Sequence, residues 1–372
     1  MLSTLKQILN SIALIPSVLT LCFVLIAVLQ LGIDLPISED SVLAGLVIIE
    51  KEDVQFILAF IIGGIFTLTI FSYTMVMNVL NRNISNYSPR LIPLLLSEKH
   101  HQCVLGFSSG TIIYAMILAI PIASSNTRSF PALGASIGVF FAIICVFLFI
   151  YFIHTVSQSI HINYILKEVF LRTEKNMLNQ HQTHGDFHIG KENRSYENTY
   201  GLGQAGYLHQ PEFDKLIVFC RKKKIKLCLT QVPGLFINRK DVLFTYRGKL
   251  SNEVLNKLSG FFAVDHEVPL SVPETGFKHL VEVAVKAMSP AINDPGTAKS
   301  ALDYFAQLLE LRSSYPYYAH ERLHISKEVS RILVTQQELL KYCFLELEQY
   351  LKDDPLLMDY LQDIKSRNDL AV

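Results

Sequence analysis

Four runs of apolar residues follow one another through the first 155 residues, at Ile12–Leu31, Phe56–Leu80, Val104–Ala123 and Ala132–Ile153. A bilayer-crossing helix takes about 20 such residues, so each run is long enough to span a membrane. The first begins too deep and runs too long for a cleaved leader, and it reads as a retained span. Beyond the fourth run, Ile162, Ile165, Leu166, Val169 and Phe170 recur at helical spacing among Lys167, Glu168, Arg172 and Lys175. That pattern predicts an amphipathic helix continuous with span four. From about Asn176 to Thr199 the chain turns to Asn, Gln, His, Gly and Glu, which predicts a polar linker.

The remainder mixes short strands with helices. Gly206–Leu208 predicts a strand, and Pro211 opens a short helix with Phe213, Leu216, Ile217 and Cys220 on one face. A strand is expected over Ile225–Val232, then a Pro233-Gly234 turn and a strand pair over Leu235–Ile237 and Val242–Tyr246. Ser251 or Asn252 caps a short helix, and Phe277–Met288 reads as a buried one. Ala298, Ala301, Leu302, Phe305, Leu308 and Leu309 form a helical stripe. A long helix is expected over Ile325–Lys352, ended or restarted by Pro355. The predicted fold is a membrane α-helical domain of four transmembrane helices plus a cytosolic α+β domain. Its parts are residues 1–155, a cytoplasmic helix and polar linker at 156–200, and residues 201–372.

Composition agrees with lipid burial. Half of the 372 residues are apolar and 18% are charged, below the roughly 25% typical of soluble domains. Lysines and arginines balance aspartates and glutamates at 33 each, so no bulk field draws the chain to nucleic acid. The six cysteines form no Cys-x-x-Cys pair, against a disulfide framework or zinc ribbon. Charge in the connections sets orientation. The first loop is acidic (Asp34, Glu39, Asp40, Glu50, Glu52, Asp53), whereas the second carries Arg82, Arg90 and Lys99. The second loop is then cytoplasmic, and with it both termini, in a bacterial inner membrane. No charged side chain falls mid-span, which argues against a proton relay.

Candidate chemistry sits in few places. The later half of span two holds Thr67, Thr69, Ser72, Tyr73, Thr74 and Asn78. These groups bond carbonyls four residues back or adhere helices; alternatively Thr67, Ser72, Thr74 and Asn78 line a pore. The run from Met288 to Ala301 is dense in helix breakers. Pro290 and Pro295 force a turn, and Asp294 before Pro295 is a helix start. Its polar groups, Ser289, Asn293, Asp294 and Thr297, either cap helices and close the turn or hold an ion or anionic ligand. His181, His184 and His188 have metal-ligand spacing, but a polar linker lacks the fixed second layer that a site needs, so no metal or cofactor is expected. Arg221-Lys222-Lys223-Lys224 ends a helix, or touches anionic lipid. Asp265-His266-Glu267 reads as a solvated turn. Gly201-Leu202-Gly203-Gln204-Ala205-Gly206 opens no dinucleotide fold, and with no nucleophile elbow or His-Glu-x-x-His run the chain reads as a non-enzyme.

The chain resembles a bacterial family of predicted membrane proteins, domain of unknown function 2254, over nearly its whole length. The resemblance is carried by Tyr87-Ser88-Pro89-Arg90-Leu91, by Leu105-Gly106-Phe107 with Gly110-Thr111, and by Tyr151-Phe152-Ile153-His154. It continues through Gly206-Tyr207 and Pro233-Gly234-Leu235-Phe236-Ile237. Its most specific part is Leu280-Val281-Glu282-Val283-Ala284, then Ala287-Met288-Ser289-Pro290-Ala291-Ile292-Asn293-Asp294-Pro295 and Thr297-Ala298. Where the family pattern has an Arg-Thr pair and an Asp, this chain has Glu267-Val268 and Val272, so no role carries over for those charges. The resemblance implies a multi-pass inner-membrane protein with a cytosolic domain and no established activity. The expected function is a homo-oligomeric channel or transporter of a small solute or ion, gated by the cytosolic domain. The alternative is a membrane-anchored sensor or scaffold that binds a ligand or protein through that domain.

Overall fold

Each apolar run is a helix in the protein's structure, a computed structural model that describes residues 13–32, 51–86, 99–123, 132–159, 161–183 and 196–369. Helices α1 (Leu14–Gly32), α2 (Lys51–Asn86), α3 (Lys99–Ala123) and α4 (Ala132–Ser159) contain stretches of 18 to 28 residues long and apolar enough to cross a membrane. The chain divides into two compact units, Met1–Ser85 with Pro89–His161, and Asn86–Ser88 with Ile162–Val372.

The N-terminal unit packs these four helices around Phe23, Leu58, Ile61, Tyr114, Leu118 and Cys145. Small residues let the backbones approach. A Cβ on Gly106 would lie 2.8 Å from the Cα of Pro16, and one on Gly110 would lie 2.6 Å from the Phe23 ring. Gly106 and Gly110 therefore form a small-xxx-small seat for α1 on α3. Phe23 packs on Phe107 and Phe141 with ring centroids 5.0 and 4.9 Å apart, in edge-on geometry that suits aromatic quadrupoles. The Tyr114 hydroxyl donates to the Gly134 carbonyl at 2.8 Å and lies against Gln30. The outside of the bundle exposes Phe56, Phe60, Phe66, Ile120 and Phe147, an apolar surface larger than soluble monomers usually show.

The C-terminal unit opens with α5 (Ile162–Thr183). Two sequence expectations are corrected here. The helix of span four does not continue into α5: it ends at Ser159, and His161 N–H closes a bend on the Gln158 carbonyl at 3.1 Å. The polar stretch from Asn176 is not all linker, since α5 runs on through Thr183 with Met177 and Gln180 buried. Polar residues hold helix there because their partners are in the fold; Asn176, for instance, donates to the Leu270 carbonyl at 2.9 Å. Helix α5 packs on α8 (Pro273–Ala287) and α9 (Pro295–Ser313). The contact is close enough that a Cβ on Gly276 would overlap the Thr173 side chain.

Two sheets complete the unit. Strands β1 (Asn198–Tyr200), β2 (Gly206–Leu208), β3 (Leu227–Leu229), β4 (Phe236–Ile237), β5 (Phe244–Tyr246), β6 (Val264–Asp265), β7 (Arg322–His324) and β8 (Val329–Ile332) are the described strands. The larger sheet has order β1-β5-β3-β8-β7 and the smaller β4-β2-β6. The expected strand pair is corrected: β4 and β5 form no hairpin, because β4 pairs with β2 and β5 with β1 and β3. Asp265 ends β6 in register with Tyr207, while His266 and Glu267 form an exposed bend, so the Asp265-His266-Glu267 run is solvated as expected. The long C-terminal helix begins later than Ile325. Residues 329–332 are β8, parallel to β3, and helix resumes as α10 (Gln336–Leu351) under a capping box of Thr335 and Glu338. Pro355 restarts it as α11 (Pro355–Asp369). Helix α6 (Phe213–Lys223) covers the larger sheet through Phe213, Leu216 and Cys220, and α7 (Asn252–Ser259) adds Leu258 beneath the Ser251 cap. The α9 stripe is buried at every expected position.

Candidate functional sites

The turn between α8 and α9 is built from its own polar groups. The Ser289 carbonyl accepts from Ile292 and Asn293 N–H at 3.0 and 2.9 Å, and Asp294 N–H donates back to Ala287 at 2.8 Å. Asn293 takes the left-handed conformation at φ 46°, one that Asn tolerates better than most residues. Asp294 caps α9: its carboxylate accepts from Thr297 N–H at 3.0 Å and from the Thr297 hydroxyl at 2.6 Å. Those bonds hold the Asp294 carboxyl below its usual range, the hydroxyl contributing most. Pro295 fills the first helical position, where no N–H is needed. Ser289, Asn293, Asp294 and Thr297 are thus together in space. Pro290 is exposed beside them.

The four candidate pore residues of α2 do not share a face. Ser72 is buried in the bundle, whereas Thr67, Thr74 and Asn78 are exposed. Thr67, Ser72 and Thr74 donate to the carbonyls of Gly63, Leu68 and Ile70, at 2.8 to 2.9 Å. At about 100° per residue, Gly63, Thr67, Thr74 and Asn78 fall within roughly 60° of arc. Gly63 and Gly64 have nothing within 4 Å of a built Cβ. The remaining glycine pair of the bundle, Gly134 and Gly138, is filled like Gly106 and Gly110: their built Cβ atoms meet Leu118 at 2.8 Å and Tyr114 at 3.5 Å. Ser88, Pro89 and Arg90 lie outside the described residues, as do His184 and His188. His181 lies on α5 and packs on the Tyr315 ring at 4.8 Å. Pro233 and Gly234 form the turn before β4, where Gly234 has φ 91°, a conformation that suits glycine.

A third cluster was not foreseen. Arg312, at the end of α9, is 0% exposed; it donates to Gln336 at 2.8 Å, to the Val334 carbonyl at 2.6 Å and to Glu274 at 3.2 Å. Its guanidinium stacks 3.7 Å from the Tyr318 ring centroid. Tyr318 donates to Gln180, which donates to Gln210 at 3.1 Å. Arg331 of β8 is 3% exposed, lies 5.4 Å from the Phe213 ring centroid, and has no acceptor at Nε or Nη1 among the described residues. Burial pushes its guanidinium below the usual range, with Glu274 acting in the opposite sense. The signal that marks Arg312 in the sequence is its position, three and four residues beyond Leu309 and Leu308 on the apolar stripe of α9. Among the described residues, no three His, Cys, Asp or Glu side chains come together as metal ligands.

A family model described as predicted membrane protein, domain of unknown function 2254, matches residues 9–365. No curated protein and no solved structure matches the chain.

Proposed function

The chain belongs to this family of predicted membrane proteins, and from that premise we propose that it assembles as a homo-oligomer in which α2 helices meet and pass a small solute or ion. The observation that supports this reading is the outward stripe of α2. Gly63, Thr67, Thr74 and Asn78 bring small and polar positions to an exposed side of α2 that also carries Phe56 and Phe60, and among the described residues nothing lies within 4 Å of a Cβ built on Gly63 or Gly64. Such stripes let membrane helices approach closely, and the bundle's other two small-residue seats are filled by its own helices. The interior of one copy is packed with Phe23, Tyr114 and Phe141, so a path for solute lies between copies. Hydroxyls bonded to their own helix still offer oxygen lone pairs to a passing solute.

In this reading the protein is a non-enzymatic transporter or channel of the bacterial inner membrane. The Lys/Arg-bearing second loop and both termini are cytoplasmic, and the C-terminal unit is a cytosolic gate. Liposome flux tests it: the wild-type chain releases small ions or solutes, while Thr67→Leu with Thr74→Leu lowers the rate at least tenfold at equal insertion. Equal flux in the double variant, or no flux of common ions from wild-type protein, contradicts it.

A further inference from the structure

Both guanidiniums are buried and neither Nε has a partner among the described residues, but the terminal nitrogens of Arg312 reach Gln336, Val334 and Glu274, whereas Nη1 of Arg331 has no carbonyl, amide or carboxylate there. The local charges do not balance. Arg312 and Arg331 carry two positive charges, and the carboxylate whose field reaches both is Glu274, already engaged with Arg312 at 3.2 Å. An arginine does not shed its proton in a protein, and a buried, unpaired cation is strongly disfavoured. Burial pushes Tyr317 up to about 12 and Tyr318 further, so both stay neutral phenols near pH 7 and neither supplies the missing charge.

We propose that this cluster is a binding site for an oxyanion, held by Arg331 with Arg312 adding charge. A planar guanidinium with free N–H groups matches phosphate, sulfate or carboxylate oxygens better than a spherical ion. The Phe213 ring bounds Arg331 on one side. Glu274, the carboxylate paired with Arg312, has a side chain 14% exposed. The cluster joins the ends of several elements: α5 through Gln180, α8 through Glu274, α9 through Arg312, β8 through Arg331 and α10 through Gln336. An anion there ties those ends together, so occupancy stabilises the C-terminal unit.

The test uses the full chain in phosphatidylcholine nanodiscs at constant ionic strength, with inorganic phosphate replacing chloride. At about ten times the half-saturating phosphate concentration the unfolding midpoint of the C-terminal unit rises by roughly 3–6 °C. A parallel sample in phosphatidylglycerol nanodiscs without phosphate separates the sources: a rise there alone assigns the oxyanion to a lipid headgroup. Arg331→Met abolishes the rise, and its phosphate-free midpoint is not below wild type, because it removes an uncompensated cation. Arg331→Lys, which keeps the charge but not the fork, requires about tenfold more phosphate for the same rise. The proposal is overturned by a wild-type midpoint that moves in neither sample, by a rise that persists in Arg331→Met, or by an unchanged phosphate requirement in Arg331→Lys. These outcomes are independent of whether α2 mediates assembly.

Discussion

Asp294 shows how one carboxylate can define a turn. It follows a left-handed Asn293, precedes a proline that cannot donate, and accepts both the N–H and the hydroxyl of Thr297. Replacing it with alanine removes an N-cap, which costs about 1 kcal/mol, read from chemical denaturation of the C-terminal unit at pH 7. The pH dependence has a definite sign. The folded Asp294 pKa lies below the unfolded one, so its stabilisation is complete above the unfolded value and is lost as pH falls through the folded value. The gap between wild type and Asp294→Ala therefore closes on acidification, and Asp294→Asn, which keeps a capping oxygen but does not titrate, lies nearer wild type at pH 7 and exceeds Asp294→Ala by an amount that varies little with pH. A gap that widens toward acid contradicts the assignment.

At the scale of elements, two glycine pairs separate packing within a copy from packing outside it. Gly106→Leu drives a side chain into the backbone of Pro16, and overpacking of this kind costs about 1–3 kcal/mol. The midpoint of detergent-induced unfolding falls accordingly, while Gly63→Leu leaves it unchanged, because among the described residues nothing lies within 4 Å of a Cβ built there. The sequence pattern made the four membrane helices legible because lipid demands a long apolar run and little else imitates one. The α9 stripe was equally plain. Strand β8 was not: Ile325, Val329 and Ile332 recur at helical spacing, yet Val329 pairs with Leu227 across the fold. Parallel pairing over about a hundred residues leaves no local trace. For the same reason β4 and β5, separated by a short turn-rich stretch, look like a hairpin but are claimed by different sheets. The turn at 289–297 was readable from proline and Asx chemistry, whereas the Arg312–Arg331 cluster was not, since its members come from segments brought together only by folding.

The whole molecule combines a bundle of four helices long and apolar enough to cross a membrane with an α+β unit that has its own core. One copy of the bundle is packed through its middle by aromatic side chains, and Gly63, Thr67, Thr74 and Asn78 add small and polar positions to the exposed side of α2. Assembly through that side is the central claim, since solute passage depends on it. Native mass spectrometry of the full chain released from nanodiscs tests it most directly. The wild-type protein is predicted to fly as one discrete symmetric oligomer and Gly63→Leu with Thr67→Leu as a monomer, whereas a monomeric wild type, or an oligomer unchanged in the double variant, contradicts the account.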